Sequence, residues 1–139
     1  MKEQAGKAYP NECCGVLLGS WSEDGKIVHK IIPTQNIAKQ DVRDKSFLIS
    51  PLELYKIECN AEKEALEVLG FYHSHPEHEA VLSKGDVLHM IPGYSYPIIS
   101  VKKQTSSKKR YEIRSYTRSL EQREEIILEE EIECRLSYI

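Results

Sequence analysis

The stretch LGFYHSHPEHEAVLSKGD, residues 69–86, runs from an apolar segment through a polar loop to a helix start. Its first part predicts a strand at about 68–74, in which alternate side chains share a face. His73 and His75 have the same parity, so both imidazoles project from one face where the strand ends. Alone, such a pair is a weak signal, because exposed or hydrogen-bonded histidines are far commoner than metal ligands.

A helix start follows the loop. Ser83 and Asp86 have the spacing of a capping box, and Pro92 would stop the helix. Asp86 would then lie near the histidines, and two imidazoles with one carboxylate suit zinc, leaving the fourth tetrahedral position to water. Helix capping alone also explains Ser83 and Asp86. The two roles are compatible, because a capped helix end is rigid and a metal site requires rigid elements.

Glu12 precedes an apolar run and, taken alone, is an ordinary charged residue. It becomes a candidate because a catalytic zinc site needs a carboxylate that handles protons without binding the metal. Zinc lowers the pKa of bound water to about 7. A neighbouring carboxylate can take that proton and return it to a leaving amine. Glu12 therefore completes the inventory of a zinc hydrolase.

Three separated motifs carry a resemblance to a known family. Glu-Cys-Cys-Gly at residues 12–15, His-Ser-His-Pro at 73–76 and Ser-x-x-Asp at 83–86 resemble the JAMM (MPN+) metalloproteases. The hallmark of that family is a glutamate, then His-Ser-His, seven residues, and Ser-x-x-Asp, and this chain has the same seven-residue spacing. The resemblance extends from about Tyr9 to Tyr116.

The resemblance implies a role for each matching residue. His73, His75 and Asp86 would bind one zinc ion, and Glu12 would act as general base and acid on the zinc-bound water that is the nucleophile. Ser83 would help stabilise the oxyanion of the tetrahedral intermediate, a role in which one donor contributes about 3 kcal/mol. The family fold is an α/β sandwich of the cytidine-deaminase-like type, with a central mixed β-sheet flanked by helices. We expect residues 1–139 to form a single domain of this kind.

Three further residues or segments are interpreted through the same resemblance. Ser74 is expected to be structural, holding the turn between the two histidines. Leu82 stands where relatives often have proline, a change that loosens the loop but removes no ligand. The first helix is shorter than in relatives, which we expect to affect folding, substrate contact or dimerisation and to spare the zinc site.

The compact Glu-Cys-Cys-Gly form resembles small prokaryotic members of the family. The short connection from Asp86 to Pro97 leaves little room for the insertions with which eukaryotic members grip ubiquitin. The implied activity is hydrolysis of the peptide or isopeptide bond after the C-terminal Gly-Gly of a ubiquitin-like or sulfur-carrier protein. That tail would add as a strand beside the site.

Two alternatives belong to other functional classes. A non-catalytic MPN-type scaffold or protein-interaction module has the same fold, but inactive relatives generally lose ligands that this chain keeps. A nucleobase deaminase expects His-x-Glu and Pro-Cys-x-x-Cys, and neither motif is present. The sequence leaves open whether the chain forms a homodimer.

The other predicted elements follow from apolar periodicity and turn residues. Ser50, Pro51 and Glu53 form a capping box before a helix at about 51–67, with Leu52, Tyr55, Cys59 and Leu66 on its apolar face. Residues 124–133 suit a strand or a helix, and we favour a strand. The remaining elements are a helix at 2–9 and strands at 15–19, 26–31, 45–49, 97–102 and 110–116.

Composition sets the remaining limits. The chain has 139 residues and a formal net charge of −3, which predicts no strong attraction to nucleic acid or anionic membranes. It has no membrane-length apolar stretch and no apolar leader, so a cytoplasmic location is expected. Four cysteines without CxxC spacing suit small buried residues in a reducing compartment. The basic cluster between Lys102 and Arg110 is interpreted as a solvated hairpin.

Overall fold

A six-stranded mixed sheet forms the centre of the computed structural model, which describes residues 1–121 and 124–135. The strand order is β2-β1-β3-β4-β5-β6, with β3 and β4 parallel and every other pair antiparallel. The elements are α1 (Lys2–Ala8), β1 (Cys14–Ser22), β2 (Gly25–Thr34), α2 (Pro51–Lys63), β3 (Glu67–Pro76), α3 (Lys84–His89), β4 (Ser95–Lys103), β5 (Lys109–Glu121) and β6 (Glu124–Glu130).

Helices cover both faces of the sheet. On one face, Ala5 of α1 lies in a cluster of buried residues with Leu17 and Tyr72. On the other face, Ile57 and Ala61 of α2 belong to a second cluster. The expected α/β sandwich with a mixed sheet and flanking helices is confirmed.

The parallel pairing of β3 with β4 requires a glycine at one position. A Cβ atom on Gly70 would lie 1.8 Å from the backbone oxygen of Ser95, its partner in the register. The connection between these strands contains α3, so the close approach fixes where the chain re-enters the sheet after α3.

The strand predicted at 45–49 is wrong. These residues are irregular, and the Asn36 side chain bonds two of their backbone groups: its amide nitrogen donates to the Ser46 carbonyl, and its oxygen accepts from Leu48 N–H. The β-prone sequence Phe47-Leu48-Ile49 is therefore held in a loop and pairs with no strand in the described part of the chain.

Helix α2 differs from expectation at its end and in its buried face. It stops at Lys63 because Ala65 takes a left-handed φ of 56°, and Leu66 N–H bonds back to the Ala61 carbonyl as in a Schellman motif. Leu52 and Tyr55, expected on the buried face, are each 63% exposed. Residues 54, 57 and 61 have helical spacing too, on the opposite face, and that face packs on the sheet.

The other predicted elements are confirmed with small shifts of their ends, including the strand favoured within 124–133, which is Glu124–Glu130. Within the described part of the chain, no helix has both the length and the apolar character needed to span a membrane.

We expect Ile57→Ala to lower the free energy of unfolding by about 2–4 kcal/mol, because it leaves a cavity against the sheet. Leu52→Ala, on the exposed face, should change it by no more than about 0.5 kcal/mol. Urea denaturation in the presence of EDTA measures both. Equal losses for the two variants would contradict the assigned orientation of α2.

Candidate metal centre

Two elements bring the three predicted ligands together. His73 and His75 lie in β3, and Asp86 lies in the first turn of α3. The two Nε2 atoms are 3.0 Å apart. Asp86 Oδ1 is 3.2 Å from Nε2 of His73, and its Oδ2 is 3.1 Å from Nε2 of His75. All three side chains therefore converge on one point.

These separations suit a zinc ion. Ligand atoms about 2.0–2.1 Å from a tetrahedral zinc stand roughly 3.3 Å from one another. The observed 3.0–3.2 Å between the donors of His73, His75 and Asp86 is close to that value. Two imidazole nitrogens and a carboxylate are also a donor set that zinc takes in catalytic sites.

Glu12 also lies close to the two histidines. One of its carboxylate oxygens and one ring nitrogen each from His73 and His75 lie within 4.8 Å of one another, a grouping that can itself hold a metal. Glu12 is 5% exposed, and only Cys13 separates it from the start of β1. Two carboxylates thus lie near the histidines, and Asp86 makes the closer contacts with them.

The two carboxylates have opposite electrostatic surroundings. Burial raises the pKa of Glu12 to about 7, against the opposing effect of His75. Burial alone would raise the pKa of Asp86 too, but hydrogen bonds with His73 and His75 outweigh it and hold that pKa below its usual range. Environments that separate two carboxyl pKa values are typical of a proton carrier beside an ionised group.

The two histidines also differ. Burial lowers the pKa of His73, which is 2% exposed, and this favours the neutral imidazole that a metal requires. Burial alone would lower the pKa of His75 as well, but its hydrogen bonds with Asp86 and the Glu79 carbonyl and the negative charges of Asp86 and Glu12 together raise it. Nδ1 of His75 lies 3.0 Å from the Glu79 carbonyl oxygen, which fixes the orientation of the ring.

The predicted capping box is present. Ser83 Oγ accepts from Asp86 N–H at 3.0 Å, and Asp86 Oδ2 accepts from Ser83 N–H at 2.8 Å. The Ser83 residue is exposed. The cap orients Asp86 toward the histidines while the Ser83 hydroxyl proton remains available to another acceptor.

Ser74 has a structural role that differs in detail from the expectation. No turn separates the histidines, because β3 continues to Pro76. Fully buried Ser74 instead bonds the backbone of Cys13 twice: its Oγ accepts from Cys13 N–H at 2.7 Å, and its own N–H donates to the Cys13 carbonyl at 3.0 Å. These bonds hold Cys13, which follows Glu12, against Ser74, which lies between the two histidines.

Sequence reasoning missed the contribution of the segment between β2 and α2. The Phe47 ring stacks on the imidazole of His73 with a centroid distance of 4.6 Å. The backbone of Glu12 is also bonded there: its N–H donates to the Arg43 carbonyl at 2.7 Å, and its carbonyl accepts from Asn36 Nδ2 at 3.0 Å. Periodicity gives no signal for such contacts, because they depend on how an irregular loop packs.

Comparison with known proteins gives matches of three kinds. The profile of a family described as prokaryotic homologs of the JAB domain (Prok-JAB) matches residues 1–119. Desampylase from Haloferax volcanii is 35% identical over 100 residues, 71% of this chain and 69% of that protein. A solution structure from Desulfitobacterium hafniense has a TM-score of 0.75 and 29% identity, covering 97% of this chain and 86% of that one. Another, from Salinibacter ruber, has a TM-score of 0.62 and 29% identity, covering 92% and 80%.

We expect Ser74→Ala to lower the free energy of unfolding by about 1–3 kcal/mol, because it leaves the buried Cys13 N–H without an acceptor. Ser22→Ala is the matched control, since its hydroxyl makes an exposed bond to the Gly25 carbonyl, and it should cost less than about 0.5 kcal/mol. Denaturation of the metal-free proteins gives both values. A Ser74→Ala variant as stable as the control would remove Ser74 from the structural account of the site.

Proposed function

Since this chain belongs to the prokaryotic homologs of the JAB domain, we propose that it hydrolyses amide bonds as a zinc-dependent peptidase or isopeptidase. The resemblance to small prokaryotic JAMM (MPN+) proteins is confirmed by this membership and by the similarity to desampylase. One observation carries the proposal: the donors of His73, His75 and Asp86 lie 3.0–3.2 Å apart with buried Glu12 beside them.

The proposed ligands are His73, His75 and Asp86. Zinc, when bound there, acts as a Lewis acid and lowers the pKa of a coordinated water to about 7. We assign the ligand role to Asp86 and not to Glu12 because Asp86 contacts both histidines directly and is held by the cap of α3. This assignment leaves Glu12 free for proton transfer.

Glu12 would move protons at the reacting bond. Its carboxylate would accept a proton from the attacking water and deliver it to the nitrogen that leaves as the amine, so that the C–N bond breaks and a carboxylic acid and an amine are produced. Two backbone hydrogen bonds hold Glu12 in place: its N–H donates to the Arg43 carbonyl, and its carbonyl accepts from the Asn36 side chain. The exposed Ser83 hydroxyl would donate a hydrogen bond to the developing oxyanion.

The proposed substrate is a ubiquitin-like or sulfur-carrier protein joined through its C-terminal Gly-Gly to an amine. The similarity to desampylase supports removal of a ubiquitin-like modifier. An extended Gly-Gly tail without bulky side chains can approach a recessed site as an added strand. A single domain over residues 1–139 and a cytoplasmic setting complete the proposal. The four cysteines are free thiols, as a reducing compartment would keep them.

We expect His73→Ala and Asp86→Ala to lose both zinc and hydrolysis, and Glu12→Gln to keep zinc while turnover falls by about 10²–10⁴-fold. Exposed Glu62→Gln is the matched control and should leave both unchanged. Metal analysis is paired with mass spectrometry of ubiquitin-like proteins bearing C-terminal Gly-Gly adducts. An active Glu12→Gln enzyme would exclude Glu12 from the mechanism. Zinc binding by the wild-type protein with no cleavage of any adduct would favour the non-catalytic scaffold.

A further inference from the structure

We infer that Phe47 is a positioning residue of the metal centre. Its ring fixes the orientation of the His73 imidazole, a role that a hydrogen bond ordinarily has. The inference deepens the proposed function and rests on it, since His73 is one of the proposed ligands. It is carried by the surroundings of His73, by the geometry of the ring contact and by the bonds that fix the loop containing Phe47.

No residue that the structure describes forms the usual hydrogen bond with the second ring nitrogen of His73. A histidine that binds metal through one nitrogen generally donates the other N–H to a carboxylate, a carbonyl or water, and that bond fixes the ring orientation. His75 has such a partner in the Glu79 carbonyl. Nδ1 of His73 is buried and has no hydrogen-bond partner among the described residues. In the described part of the chain, polar contacts therefore hold the His73 ring only at Nε2, where Asp86 and His75 lie, and other contacts can help to fix its orientation.

Two ring contacts can do so. The Phe47 ring lies nearly parallel to the imidazole, with a centroid distance of 4.6 Å and an interplanar angle of 22°. The ring of His75 meets it edge-on, at 4.8 Å and 62°. Rotation of the His73 ring about its bond to Cβ would break the parallel contact with Phe47 and turn Nε2 away from Asp86.

Phe47 is held by a loop that also holds Glu12. The Asn36 side chain closes this loop: its oxygen accepts from Ala38 and Leu48 N–H at 3.0 and 3.1 Å. Its amide nitrogen donates to the carbonyls of Ser46 and Glu12, each at 3.0 Å. The position of Phe47 is thereby tied to that of Glu12, and one irregular segment aligns the proposed proton carrier with a proposed ligand.

The test compares Phe47→Leu, which keeps apolar volume without a ring, with Phe47→Tyr, which keeps the ring. Neighbouring Leu48→Ala, in the same loop but 53% exposed, is the control for general loosening of the loop. Zinc affinity is measured by competition with a chromophoric chelator, and the cobalt(II)-substituted proteins are compared by visible absorption. Unfolding in EDTA reports whether each variant is folded.

We expect Phe47→Leu to bind zinc about 10–100-fold more weakly, the usual cost of losing a group that orients a ligand. It should also alter the cobalt spectrum, whereas Phe47→Tyr and Leu48→Ala should match the wild-type protein in both measurements. A folded Phe47→Leu variant with wild-type zinc affinity would overturn the inference, as would an equal loss in Leu48→Ala.

A second measurement needs no variant. In the metal-free wild-type protein, the ring current of Phe47 should shift the carbon-bound ring protons of His73 upfield in the NMR spectrum, and unshifted protons would overturn the inference even if Phe47→Leu fails to fold. Because zinc binding is measured without substrate, a wild-type protein that binds zinc and cleaves nothing overturns the proposed enzyme activity alone. A protein that binds no zinc overturns both.

Discussion

The pairing of β1 with β3 sets Cys14 opposite His73, and the two hydrogen bonds between Cys13 and Ser74 extend that pairing by one residue before the start of β1. A slip of one residue would turn the histidines to the other face of the sheet and move Glu12 out of their reach. The register is strongly specified because both faces are buried here, by Leu17 and Tyr72 on one side and Val16 on the other. The candidate metal centre depends on this register.

The centre combines elements of different rigidity. Strand β3, inside the sheet, carries both histidines. Helix α3, in the connection from β3 to the parallel strand β4, carries Asp86 in the capping box at its start. Glu12 and His73 are instead aligned by an irregular loop, in which Asn36 and Phe47 make the contacts. The proposed function therefore depends on the loop between β2 and α2 as much as on the sheet. Functional residues positioned by loops on a rigid scaffold are common.

The sequence was informative where polar residues interrupt regular patterns. His73 and His75 stand in an apolar strand, and Ser83 and Asp86 have a cap spacing, so local structure predicted that the histidines share a strand face and that Asp86 lies at a helix start. The sequence was uninformative about which face of α2 is buried, because two faces of that helix have apolar residues at helical spacing. It was also uninformative about residues 45–49, where β-prone residues such as Phe47 lie in a loop. Only tertiary packing decides such cases, and it also places Phe47 on His73.

The central claim is that one zinc ion is held by His73, His75 and Asp86 while Glu12 stays unbound beside it. A crystal structure of the zinc-loaded protein, with anomalous scattering recorded on both sides of the zinc absorption edge, tests it most directly. The account predicts one anomalous peak bounded by the Nε2 atoms of both histidines and the Asp86 carboxylate, with the Glu12 carboxylate outside coordination distance. A peak held by Glu12 in place of Asp86, or no peak between the histidines, would contradict it.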